Sequence, residues 1–223
     1  MYYRQVKDKN ILTGDNKLFP KVEWVPAEEL FGENQVLKHP IMHKAFERIL
    51  NQHKVIHSTA LLSLCTDTRP YHFSLKWKKY LEYFDKKVDF IVVSNGGMIP
   101  EDFWLSYPFL NYDAGVHEND ELYKKIMHER MILFFKKHSY KYVIANFSYK
   151  QRNAQPAKQS LTKLKMDGFI KDFIVIPDVD TYKEAQKCGW VYGAMFPDLH
   201  PIIFKKIINH VELWGDKVVQ FDV

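Results

Sequence analysis

The segment Leu64 to Trp77, LCTDTRPYHFSLKW, sets a thiol, two threonine hydroxyls, a carboxylate, a guanidinium and a phenol behind an apolar run. A cysteine thiolate adds to the electrophilic carbon of a nitrile or carbonyl, and the thioimidate formed from a nitrile is open to displacement by an amine. Cys65 is the candidate nucleophile, with Thr66 the neighbouring hydroxyl. Arg69 could hold a phosphate or carboxylate bidentately, and Asp67 or Asp113 could accept the amine's proton. Each residue also has a plainer reading. Cys65 is equally a buried structural thiol, and Asp67-Thr68 fits a turn. Exposure of the thiol decides between the two, because a thiol sealed under apolar side chains attacks nothing.

The elements around this segment say how it would be held. Ala60–Leu64 reads as a short buried strand, so Cys65 leaves its carboxyl end, the side on which open α/β sheets bind ligands. Ahead of it, Ile41, Ala45, Phe46, Ile49 and Leu50 recur at helical spacing behind Pro40. His43 and Glu47 on that helix read as a surface pair. Behind the segment, Ser74 can cap a helix that buries Trp77, Tyr80, Leu81 and Phe84 and turns Lys76, Lys78 and Lys79 outward.

A second strand, Phe90–Val93, runs into Ser94-Asn95-Gly96-Gly97, a loop whose amides could receive an anion or a base edge. Asn119 opens a long helix carrying Leu122, Ile126, Met127, Leu133 and Phe134, followed by a strand at Tyr142–Phe147. A helix from Pro156 to Gly168, a strand at Phe173–Ile176, helices at Thr181–Lys187 and Pro201–Leu213, and a last strand near Lys217–Phe221 complete the chain. Asp178, Asp180 and His200 are loop residues at the edge of this pattern. Alternating strands and helices predict an α/β fold, a three-layer sandwich with a mainly parallel sheet. Residues 1–36, interrupted by Pro20, Pro26 and Gly32, read as an amino-terminal arm or small appended element, and 37–223 as one α/β domain.

Composition bounds the function classes. At 223 residues and 46% hydrophobic content the chain can bury a sizeable core. No apolar stretch has membrane-span length, and the first residues form no secretory signal, which predicts a cytoplasmic protein away from membranes. Cys65 and Cys188 are too few and too far apart for a disulfide framework or structural zinc, so no metal is expected, and no cofactor motif is present. The net charge of +5 is concentrated: Arg69 to Lys87 carries six Lys or Arg against two acids, and Lys141 to Lys171 seven against one. Cations beside aromatic side chains suit a phosphate backbone with stackable bases, or form solvated helix faces.

Residues 64–77 resemble the Pro-Cys-Ser-x-x-Lys-Pro-Tyr-x-x-Ser-x-x-His motif of the extra domain in archaeosine synthase, an archaeal relative of the tRNA-guanine transglycosylases. Here it reads Leu64-Cys65-Thr66, Arg69-Pro70-Tyr71, Ser74 and Trp77. Val93-Ser94-Asn95-Gly96-Gly97-Met98-Ile99-Pro100 and Tyr107-Pro108 through Asn111-Tyr112-Asp113 resemble further segments of that family in the same order, so the likeness covers Lys38 to Phe147. Thr66, Arg69 and Trp77 depart from the motif's Ser, Lys and His. The resemblance implies a uracil-DNA-glycosylase-like fold and a transferase that attaches lysine to a cyano-deazaguanine base in tRNA. Taken with the chemistry above, it puts Cys65, Thr66, Asp67 and Asp113 forward for catalysis and Arg69, Tyr71, Ser74, Ser94, Asn95, Gly96, Gly97 and Tyr112 for substrate binding. It further implies tRNA as partner, with a separate transglycosylase-like subunit supplying the domain that has no counterpart in this chain.

Two other readings stand beside the enzyme. The motif substitutions fit a non-catalytic nucleic-acid-binding module with a glycosylase-like fold. Hydrolysis of an N-glycosidic bond in DNA would need a water-activating Asp and His loop that no short segment supplies, and fold alone is poor evidence for function. The chain has no Gly-x-x-x-x-Gly-Lys loop, no Gly-x-Gly-x-x-Gly fingerprint and no Gly-x-Ser-x-Gly elbow.

Overall fold

The structure, a computed structural model, describes residues 17–115, 117–188 and 199–216. Its frame is a five-stranded sheet. The strands are β1 (Thr59–Leu64), β2 (Asp89–Ser94), β3 (Gly97–Pro100), β4 (Tyr142–Asn146) and β5 (Asp172–Ile176), in the order β3-β2-β1-β4-β5. β1, β2, β4 and β5 are mutually parallel, with Leu62 opposite both Ile91 and Ala145, while β3 pairs antiparallel with β2. Continuous burial along β1 and β2 follows from helices on both faces, as a three-layer α/β fold requires. The last strand expected near Lys217–Phe221 lies outside the described residues.

The helices are α1 (Glu33–Lys38), α2 (Pro40–Gln52), α3 (Leu75–Phe84), α4 (Asp120–Lys137), α5 (Ala154–Met166), α6 (Val179–Lys187) and α7 (Pro201–Trp214). Most begin where the sequence supplies an acceptor. The side chains of His39, Ser74, Asn119, Asp178 and His200 accept from the first-turn amides of α2, α3, α4, α6 and α7. Asp178 and His200 are therefore helix caps, and Asp178 also pairs with Lys206 at 2.5 Å. α3 buries Trp77, Tyr80 and Phe84 as its spacing predicts. α4 departs from expectation. It buries Tyr123, Met127, Arg130, Met131, Phe134 and Phe135, while Leu133 faces solvent.

Two further corrections and the packing of the arm bear on the site. Lys76 does not face outward: it is buried, and its ammonium donates to the Leu64 carbonyl at 2.8 Å, meeting an acceptor left at the end of β1. Ser94-Asn95-Gly96-Gly97 is no open loop but the connection of the β2–β3 hairpin, with Ser94 opposite Gly97. Asn-Gly between apolar runs is a strong hairpin signal, which adds an antiparallel edge to the parallel sheet. The described part of the amino-terminal arm is built into the core, since Leu18, Phe19 and Leu30 join the same apolar cluster as the sheet and Phe31 bridges to Asp113.

Gly97 marks the tightest place in this framework. Its φ is +113°, and an added Cβ would lie 3.2 Å from Phe46 and 3.3 Å from the buried Arg130 side chain. Arg130 in turn donates to the carbonyls of Asn95 (2.9 Å) and Leu37 (3.4 Å), tying α4 to the hairpin and to α1. Burial draws the pKa of its guanidinium down to about 10, against the opposing effect of Glu129, so it remains charged at neutral pH. Gly97→Ala is expected to destabilise the fold by about 1–3 kcal/mol through strain and crowding, read as a lower urea midpoint with an unchanged slope.

Candidate functional site

The chain leaves β1 toward β2 on one side, while β4 leads to β5 on the other. The carboxyl ends of β1 and β4 are thus a topological switch point, where open α/β sheets form a crevice. A crevice of about 760 Å³ opens there. One wall is the strand ends Leu64-Cys65 and Val93-Ser94-Asn95, another is His117 to Asp120 with Tyr123 at the start of α4, and a third is Lys150 to Asn153 between β4 and α5.

Cys65 lines this crevice and is only half buried, its amide fixed to the Val93 carbonyl at 3.1 Å. Behind it sits a polar cluster. The Arg69 guanidinium lies 4.3 Å from the Tyr71 ring centroid and 5.0 Å from that of Tyr112, and it donates to the Thr66 carbonyl. Tyr71 and Tyr112 share a hydroxyl contact of 2.9 Å, and Tyr112 donates to Ser94 Oγ at 2.6 Å. Burial pulls the Arg69 guanidinium down, but Tyr71, Tyr112 and Cys65 hold it above its ordinary value overall. Burial pushes the phenols of Tyr71, Tyr112 and Tyr123 up. Around the thiol, then, are a fixed cation and phenols that stay neutral at ordinary pH, with Tyr112 accepting from Tyr71 and donating to Ser94.

The sequence-predicted residues divide accordingly. Cys65, Arg69, Tyr71, Ser94, Asn95 and Tyr112 come together, with Cys65, Ser94 and Asn95 on the crevice itself. The others sit elsewhere. Thr66 closes a local turn onto the Thr68 carbonyl, and Asp67 faces solvent. The Ser74 oxygen caps α3. Asp113 anchors the arm, exchanging backbone bonds of 2.9 Å with Leu30 and Gly32 and accepting from the Gly115 amide. Gly96 and Gly97 face α2 and α4, not the crevice: a Cβ at Gly96 would meet Met42 and Phe109. Trp77, at the motif's His position, is fully buried against Trp104, 4.7 Å between ring centres, and offers no acid or base.

Sequence reasoning missed the residue at the centre of the site. Glu33, from the arm, is fully buried and accepts from the amides of Glu118 (2.8 Å) and Asn119 (3.0 Å), from Asn95 Nδ2 (3.0 Å) and from Arg152 (2.5 Å). Arg152 lies flat over the Tyr123 ring at 3.7 Å and also reaches Asp120 at 3.3 Å, while His117 Nδ1 sits 3.5 Å from Glu33. Burial pushes the Glu33 carboxyl up, but the Asn119 and Glu118 amides, Arg152 and Asn95 hold it down at about 2. The signal available in the sequence was Gly32-Glu33, a glycine before a helix-opening acid inside an otherwise irregular arm. Among the described residues no group of His, Cys, Asp and Glu side chains is arranged to hold a metal ion.

The chain is an α/β protein whose half-buried Cys65 thiol lines a crevice at the switch point of its sheet. A family model described as a domain of unknown function, DUF5591, matches residues 42–171, and the chain belongs to that family. The match takes in Cys65 and Arg152 but not Glu33. The crystal structure of the archaeal AF0587, described as a protein of unknown function, is similar with 19% identity and a TM-score of 0.45 over 60% of this chain and 43% of that one. This chain thus spans less than half of that protein's length. No functionally curated protein matches the chain.

The Glu33 linkage has a definite sign. Its folded pKa of about 2 lies below the ordinary 4.5, so its contribution is complete above pH 4.5 and is lost as pH falls toward 2. Glu33→Gln is expected to cost roughly 3 kcal/mol at neutral pH and to flatten the loss of stability between pH 4.5 and 2 that the unaltered chain shows in urea titrations.

Proposed function

We propose that this protein modifies a nucleobase in tRNA, transferring lysine to a cyano-deazaguanine base as in the archaeosine pathway, with Cys65 as nucleophile. The observation that carries the reading is the position of the Cys65 thiol, open to a crevice of about 760 Å³ beside a permanently charged guanidinium. The DUF5591 domain is also one found in archaeosine-related proteins. The Cys65 sulfur adds to the nitrile carbon and its proton goes to the nitrile nitrogen, giving a thioimidate. The amine of lysine then adds to the same carbon, the C–S bond breaks, and the amidine leaves with the thiol restored.

Asp67 and Asp113 have no place at the crevice in this scheme. His117, at the rim and 3.5 Å from Glu33, is the group that takes the proton from the incoming amine. Ser94 and Asn95 supply hydrogen bonds to the base edge, and Arg69 with Tyr71 and Tyr112 forms the charged floor behind the thiol. A transglycosylase-like subunit would present the tRNA.

A second reading, a binding module without chemistry, is favoured by Trp77: a core tryptophan stands where the resembling motif has its histidine. Incubation with tRNA bearing the cyano-deazaguanine base and labelled lysine, with and without a transglycosylase-like partner, separates the two by nucleoside mass spectrometry. Labelled amidine is expected, and Cys65→Ala is expected to reduce it to background while tRNA affinity stays within about twofold. Product that persists in Cys65→Ala removes the thiol mechanism, and tight tRNA binding with no product in either mixture selects the binding module.

A further inference from the structure

We infer that a single-stranded nucleic acid leaves the Cys65 crevice along the solvent face of α5, with its phosphates on Lys150 and Lys158 and a base against Tyr149. This rests on the tRNA reading above for the identity of the strand, but it concerns a surface that the proposed chemistry does not use.

Two grooves lie along this side of the molecule, the crevice ending at Asn153 and a second beginning two residues further on. The third wall of the crevice, Lys150 to Asn153, runs directly into α5, and a second groove of about 540 Å³ starts at Gln155 and follows one helix face through Lys158, Gln159 and Thr162 to Met166. Positions 155, 158, 159, 162 and 166 recur at three and four residues, which is one stripe of the helix surface. Along it the chemistry is graded. Arg152 is committed to Glu33 and Lys163 to Asp167 at 3.0 Å, whereas Lys150 and Lys158 are exposed and have no carboxylate partner among the described residues. The uncharged donors and acceptors Gln155 and Gln159 flank Lys158 on this stripe.

Next to Lys150 in the chain, Tyr149 is 40% exposed and meets Tyr182 edge-on at 5.0 Å, with the Lys150 ammonium 5.0 Å over the Tyr182 ring. The far end carries Met166, 82% exposed. Spaced cations interleaved with an exposed aromatic and an apolar surface match a phosphate backbone with stacking bases, and an acidic peptide would be served better by adjacent cations. The opposite wall bears Glu118 and Asp120, which repel phosphate and set the direction of exit toward α5.

Neither Arg69 nor Lys76 can take this role. The first basic segment sends both of them inward and holds Lys78 and Lys86 exposed outside the crevice lining, whereas Lys150 of the second segment lines it.

The test is fluorescence anisotropy of a labelled short single-stranded RNA and of tRNA across a salt series, with the full chain. The double variant Lys150→Ala, Lys158→Ala is expected to lower the slope of log affinity on log salt by about 1.4, from roughly 0.7 per lost phosphate contact. Tyr149→Ala should weaken binding about fivefold or more with little change of slope. The control pair Lys78→Ala, Lys86→Ala, on exposed positions away from α5, should bind as the unaltered chain does. An unchanged slope in the α5 double variant, an equal loss in the control pair, or competition by poly-glutamate as strong as by RNA overturns the proposal. Failure here is distinct from failure of the enzyme reading: amidine formed with normal RNA affinity in the α5 variants removes the track alone, while RNA affinity lost in those variants without any amidine from the unaltered chain removes the chemistry alone.

Discussion

The Glu33 carboxylate is the constraint on which the site depends. It sits where four segments meet: the arm that carries it, the β2–β3 turn through Asn95, the start of α4 through the Glu118 and Asn119 amides, and the β4–α5 connection through Arg152. A buried carboxylate without partners would be costly, and here every lone-pair direction has a donor. Removing it would leave the Glu118 and Asn119 amides and Asn95 Nδ2 without this acceptor and Arg152 with Asp120 alone, which ties the shape of the crevice to one charge. The negative charge at the amino-terminal end of α4 is also favoured by the helix dipole.

Arg69 and Arg152 show two ways of keeping a cation near the thiol. Arg152 is neutralised by Glu33 and Asp120 and stacked on Tyr123, so it acts as a wall. Arg69 has no carboxylate within ion-pair reach among the described residues and lies between two phenol rings. Its charge is met by ring faces, a backbone carbonyl and the neighbourhood of Cys65. This difference fits the proposed division of labour, in which Arg69 serves the reacting group and Arg152 the architecture.

Much of the frame was legible in the sequence because it rests on local rules. The buried stripe of α3, the caps at Ser74 and Asn119, and the parallel strands β1, β2, β4 and β5 all follow from periodicity and from short-range hydrogen bonding. β3 was missed because four residues carry too little periodicity, although Asn95-Gly96 signalled its turn. Lys76 was misplaced because helical spacing assigns a side chain to a face and says nothing of the carbonyl waiting at the end of β1. The motif residues divided for a similar reason, since Ser74, Asp113, Gly96 and Gly97 are spent on capping, anchoring the arm and close packing.

The residues alone set the α/β class, the strand that ends at Cys65 and the order of thiol, guanidinium and Tyr71 phenol behind it, because these depend on residue type and on neighbours within a few positions. Long-range packing set the rest: that Tyr112 joins Arg69 and Tyr71, which charges face the crevice and which are consumed inside the fold. Glu33 and Arg152 are 119 residues apart in the chain and 2.5 Å apart in space. A pairing over that distance is fixed by how the sheet brings its strand ends together, and no local pattern encodes it.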